Sequence, residues 1–190
     1  MRILALVLLM PVAICTAATP SPAPQGASDG RTAATAAGPP RTSAKVTLAP
    51  AAGSSARGNL LLTNEGTAVS IKGEITGLMP GQEHGFHVHE VGDCSAPDFQ
   101  SAGEHLNPTK DPHGGPKSSA RHLGDIPNAK ADKEGRAAID VSLKGATLAD
   151  KDGGPNQILG KAMVVHAMPD DYKTQPSGGS GARIACGVIR

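Results

Sequence analysis

The 190-residue sequence has no tryptophan, and Phe86, Phe99 and Tyr172 are its only aromatic side chains apart from histidine. A core must therefore be built from Val, Ile, Leu and Ala. An excess of one charge is missing too: the formal net charge is +1, with acidic and basic residues interspersed. No basic stripe with interleaved aromatics exists, so nucleic-acid binding has no support, and any pull on an anion must be local. A Gly-x-Ser-x-Gly elbow is absent, which removes the serine hydrolases. Gly114-Gly115 and Gly178-Gly179 follow no strand-to-helix fingerprint and are not phosphate cradles. Abundant instead are glycine, at 24, and proline, at 16, which favour turns and loops over long helices.

Cysteine is scarce, at three, and the first lies in what reads as an export signal. Arg2 supplies positive charge, residues 3–14 form a short apolar run, and Cys15-Thr16-Ala17-Ala18-Thr19 offers small residues for cleavage after Ala17 or Ala18. The run is too short to span a bilayer. A second reading takes Val12-Ala13-Ile14-Cys15 as a lipoprotein box with a lipid anchor on Cys15, although Ile14 is bulky for one. If Cys15 leaves with residues 1–18, Cys94 and Cys186 remain as an even pair in an oxidising compartment. Two buried free thiols are the alternative. Residues 19–42, rich in Ala, Pro, Ser and Thr, read as a linker without a packed core.

From residue 43 onward short strand-like runs alternate with turns, at 45–49, 58–63, 69–75, 84–89, 137–142, 162–166 and 182–189. Val69-Ser70-Ile71-Lys72-Gly73-Glu74-Ile75 shows the alternation of a half-buried strand. Residues 91–125 and 167–181 lack this rhythm, and loops of such length in a compact domain are usually functional. The expectation is one all-β domain over residues 43–190, a barrel or sandwich with two long loops.

Six of seven histidines and one aspartate fall at metal-ligand spacing: His87 and His89, then His105, His113, His122 with Asp125, and finally His166. Two histidines two apart on a strand share a face, because side chains alternate. His122 and Asp125 can fold back through Gly124 to serve one ion. Imidazole suits zinc and copper, and a carboxylate can complete a tetrahedral zinc site. Seven ligands exceed the need of one four-coordinate ion, so two metals are expected. His84 has the opposite strand parity to His87 and reads as a structural hydrogen-bonder.

Gly85-Phe86-His87-Val88-His89-Glu90, Gly92-Asp93-Cys94, His105-Leu106-Asn107-Pro108, His113-Gly114-Gly115-Pro116, His122-Leu123-Gly124-Asp125, Val164-Val165-His166 and Gly181–Ile189 together resemble copper/zinc superoxide dismutase, in its exported bacterial branch. The resemblance runs over residues 43–190. It implies an eight-stranded Greek-key β-barrel, and an enzyme that disproportionates superoxide to dioxygen and hydrogen peroxide. By the same resemblance His87, His89, His105 and His166 bind copper, while His105, His113, His122 and Asp125 bind zinc. His105 then bridges the ions and carries a proton to product. Cys94 and Cys186 form a disulfide tying the first loop to the barrel. Asp170 links His87 to His113, and Arg183 docks the anion beside copper. Leu106 departs from the pattern, standing where the family usually has an aromatic residue.

The implied partner is the superoxide anion, the implied place the periplasm or, through Cys15, a membrane surface. Monomer and homodimer both stay open. Lys110, Lys117 and Lys173 read as a solvated face. A module that binds copper and zinc without turnover is the competing function.

Overall fold

A computed structural model describes residues 42–148 and 154–190. The export segment, Cys15 and the linker up to residue 41 lie outside the described residues. Nine strand segments appear among those described: β1 (Ser43–Pro50), β2 (Arg57–Glu65), β3 (Ala68–Thr76), β4 (Glu83–His84), β5 (Phe86–His89), β6 (Ala129–Lys130), β7 (Ala137–Lys144), β8 (Ala162–His166) and β9 (Arg183–Val188). Seven of them hydrogen-bond in the order β5-β8-β9-β1-β2-β3-β7, every pair antiparallel. β4 pairs with β6, and β6 lies against β7. Because β4 runs into β5 through Gly85, the sheet curls back on itself.

All seven strand-like runs of the sequence are strands here. The run at 84–89 is broken at Gly85, whose N–H donates to the Met168 carbonyl and whose carbonyl accepts from His166. Counted as one, β4 and β5 bring the strands to eight. The eighth, β6, has only two residues, Ala129 and Lys130, too few for any periodicity to register.

Alternation sets the core. β1 turns Ala44, Val46 and Leu48 inward, β2 adds Leu60 and Leu62, and β7 adds Ala137, Ile139 and Leu143. Burying each Val, Leu or Ile is worth roughly 1.5–3 kcal/mol, enough to hold a barrel whose main cluster has Phe86 as its one aromatic. β5 and β8 depart from this rule, since every residue in both is buried. Phe86, Val88, Met163 and Val165 face the main core, whereas Ala162 and Val164 meet a second cluster with Phe99, Ala102 and Cys186. Two strands covered on both faces need something over the outside. The two long loops supply it.

Candidate metal centre

The outer face of β5 and β8 carries the histidines. His87 and His89 share that face by alternation, and the antiparallel register sets them opposite Val164 and Ala162. His166, two residues beyond Val164, joins them where its N–H bonds the Gly85 carbonyl at 2.8 Å.

The first loop is stitched to β5 by its backbone. The Leu106 N–H donates to Val88 (2.8 Å), the Val88 N–H to Gly124 (3.0 Å), and the Gly124 N–H to Leu106 (2.9 Å). A Cβ on Gly124 would overlap the Val88 carbonyl, so only glycine permits this approach. The result lays His105 against His89 and Asp125 against His87. Leu106 itself is buried in the main core, so an aliphatic side chain fills that position.

Two groups of ligand atoms follow, each within 4.8 Å: His87, His89, His105 and His166 in one, His105, His113, His122 and Asp125 in the other. All seven side chains are buried. Asp125 gathers the second group, with Oδ1 2.8 Å from His105 Nδ1 and 3.2 Å from His122 Nδ1, and Oδ2 3.0 Å from His113 Nδ1. Burial works to raise the Asp125 carboxyl, but the hydrogen bond from His105, the facing His122 ring and the Gly114 N–H hold it far below the carboxylate range. His105 thus contributes Nδ1 to one group and Nε2 to the other.

The outward nitrogens have fixed acceptors. Asp170 accepts from His87 Nε2 and His113 Nε2, both at 2.9 Å; the Gly103 carbonyl accepts from His89 Nδ1 at 2.9 Å, and Gly181 from His166 Nδ1 at 3.2 Å. A carbonyl or carboxylate can only accept, so each of these rings carries its proton outward and turns a lone pair inward. The inward atoms, His87 Nδ1, His89 Nε2, His105 Nε2, His166 Nε2, His113 Nδ1 and His122 Nδ1, are buried without a hydrogen-bond partner. Buried lone pairs left unmatched are costly unless something binds them. Imidazole and carboxylate donors fit copper and zinc. Burial lowers the rings to about 4 at His87, about 3 at His166 and about 2 at His89, keeping them neutral and able to ligate.

His84 is in neither group. Its Nδ1–H donates to the His166 carbonyl at 2.9 Å, a structural bond behind a candidate ligand. Cys94 and Cys186 form a disulfide across 92 residues, tethering the first loop to β9. Arg183, three residues before Cys186, reaches the same loop: its guanidinium donates to the Phe99 and Gly103 carbonyls, both at 2.7 Å. Its charge acts on His89 and His166.

The model of the family described as copper/zinc superoxide dismutase (SODC) matches residues 56–189. The chain belongs to that family. "Superoxide dismutase [Cu-Zn] 1" of Aquifex aeolicus is 43% identical over 137 residues, 70% of this chain and 79% of the relative. "Superoxide dismutase [Cu-Zn]" of Caulobacter vibrioides is 45% identical over 142 residues, 70% of this chain and 78% of the relative. Among solved structures, a double mutant of a SOD-like protein from Bacillus subtilis superposes with a TM-score of 0.67 at 36% identity, covering 75% of this chain and 94% of that one. The clock protein EA4 does so with a TM-score of 0.69 at 37% identity, covering 78% and 93%. Copper/zinc superoxide dismutases take their name from the two metals that the paired ligand groups suit.

Several residues that support this dismutase site went unread in the sequence. Asn128 clasps Asp170: its side chain accepts the Asp170 N–H (2.9 Å) and donates to the Asp170 carbonyl (3.0 Å). Tyr172 donates its N–H to Asp170 Oδ1 (2.7 Å), and its hydroxyl accepts from Asn128 (2.9 Å). Gln175 brackets the His113 backbone, accepting from its N–H (2.8 Å) and donating to its carbonyl (2.9 Å). Tyr172, the one tyrosine, follows Asp170 by two and offered a signal; Gln175 offered none.

Proposed function

We propose that this chain is an exported superoxide dismutase, in which His87, His89, His105 and His166 hold copper and His105, His113, His122 and Asp125 hold zinc. The observation that carries the reading is the double use of His105, one ring nitrogen in each group. Copper bound there would supply the one-electron couple that turns two superoxide ions and two protons into dioxygen and hydrogen peroxide, with zinc adding fixed positive charge. His105 Nε2 can take up and release a proton within the pocket, while Asp125 keeps Nδ1 in place. Arg183, its charge permanent at neutral pH, attracts and orients a small anion. Asp170, His84 and the Gly103 and Gly181 carbonyls hold the rings in register, and the two loops keep bulk water off them.

Export is supported by residues 1–18 as read above and by a disulfide, which persists in oxidising compartments. The periplasm follows from signal cleavage, a membrane anchor from lipid on Cys15. Among the described residues no helix is long and apolar enough to cross a membrane.

The test is superoxide consumption by protein loaded with copper and zinc, with cyanide as control. Cyanide-sensitive turnover with one copper and one zinc per chain is expected. Full metal occupancy with no such turnover would leave a metal-binding module in place of an enzyme.

A further inference from the structure

Met168 carries a thioether that is 57% exposed, yet its backbone belongs to the frame around His166. Its N–H donates to the Ser180 carbonyl at 2.9 Å, and the neighbouring Ala167 N–H donates to Ala182 at 2.8 Å. Its own carbonyl accepts from the Gly85 N–H at 2.8 Å. Gly85 and Gly181 are the residues whose carbonyls accept from His166, the first from its backbone N–H at 2.8 Å and the second from Nδ1 at 3.2 Å. The Met168 side chain lies over Gly181: a Cβ on that glycine would sit 3.3 Å from Met168 Cγ and 3.5 Å from Sδ. The Gly181 contact is also longer than those fixing His87 and His89, both 2.9 Å. The other methionines among the described residues differ. Met163 is fully buried, and Met79, 65% exposed, stands on the turn between β3 and β4.

We propose that Met168 is a site of oxidation by hydrogen peroxide, and that its sulfoxide loosens the hold on His166. The proposal rests on the dismutase reading above, which makes peroxide the enzyme's own product. A lone pair on the thioether sulfur attacks one peroxide oxygen and the O–O bond breaks. A proton passes to the leaving oxygen, which departs as water; sulfur is oxidised to the sulfoxide and peroxide is reduced. The side chain thereby turns from apolar to polar and gains an oxygen at the atom that faces Gly181. A shift of Gly181 takes the acceptor away from His166 Nδ1. The ring is then free to turn, and its inward lone pair is no longer fixed on the copper group.

The test treats zinc-loaded, copper-free protein with hydrogen peroxide, so that no copper chemistry intervenes. Catalase then removes the excess, and copper is titrated in competition with a chelator of known strength. Peptide mass mapping should find one added oxygen on Met168 and on Met79, and none on Met163. Copper affinity should fall by about tenfold, as when a hydrogen bond behind a ligand is lost, and the copper EPR spectrum should shift. Methionine sulfoxide reductases should restore both. Met168→Leu, a swap of similar volume, should keep parental copper affinity through the same treatment, whereas Met79→Leu should lose it as the parent does. Met168 left intact where Met79 is oxidised overturns the proposal. So does a full sulfoxide at Met168 with unchanged copper affinity, or an equal loss in Met168→Leu. In a second arm the copper- and zinc-loaded protein turns over superoxide with and without catalase. Sulfoxide at Met168 that catalase abolishes is expected; sulfoxide that catalase leaves untouched overturns free peroxide as the oxidant. A parent that fails to consume superoxide counts against the dismutase reading alone, because the added-peroxide arm needs no turnover.

Discussion

At the scale of single residues, the site is a set of protonation choices enforced by acceptors. Asp170 is central because one carboxylate dictates the tautomer of a histidine in each ligand group, His87 and His113. Its surroundings leave it no freedom. Asn128 and the Tyr172 N–H hold it from one side, and a Cβ on Gly178 would overlap its carboxylate. Burial works to raise Asp170, but donors from His87, Tyr172 and His113 keep it below the usual range, so it stays an acceptor at both oxygens. Asp170→Asn is nearly isosteric yet replaces one acceptor by an NH2 donor. One of the two rings must then accept, which moves its proton to the inward nitrogen and removes a metal lone pair. Affinity for one of the metals should fall by about 10–100-fold, measured by competition with a chelator of known strength. Retention of both metals at parental affinity would show that the carboxylate does not set the tautomers.

At the scale of elements, strands were legible where one face meets water, because apolar and polar residues alternate along β1 and β7 and along residues 69–75 of β3. β8 carries no alternation, being buried throughout, yet its apolar run still marked it as a strand. The candidate ligands on β5 share one face, parity placing His87 and His89 together and His84 apart. Beyond Asp170 the second loop was opaque: nothing in Lys173-Thr174-Gln175-Pro176 announces that an exposed amide brackets the buried His113. Two hydrogen bonds from Gln175 make the loop at 167–181 a buttress for the first loop at His113. Gln175→Ala removes both while leaving every ligand in place. Zinc release to a chromogenic chelator should quicken by roughly tenfold, with the copper EPR spectrum unchanged. Equal release rates would reduce Gln175 to a surface residue.

At the scale of the whole molecule, the barrel hides neutral imidazoles, and that choice links stability to pH. The ordinary value of 6.5 falls to about 4 for His87, about 3 for His166 and about 2 for His89, chiefly through burial. Above pH 6.5 these rings are neutral whether the chain is folded or unfolded, and they add no pH dependence. As pH drops below 6.5 the unfolded chain takes protons that the folded chain refuses, so the balance shifts toward unfolding. The loss continues down through about pH 4, where His87 in the folded state begins to take a proton as well, and eases further as His166 and His89 follow. Asp125 and Asp170, both lowered in the folded state, extend the same trend below about pH 4, where only the unfolded carboxylates gain protons. Metal binding selects the deprotonated rings of the folded chain and so moves the whole window to lower pH. Calorimetric scans of metal-free protein should give a Tm that is level above pH 7 and declines steadily between pH 6.5 and 4. The loaded protein should hold its Tm across that interval. A metal-free Tm that stays level to pH 4 would mean that the rings open to solvent and titrate normally without their ions, and that the metals, rather than the β-barrel, bury them.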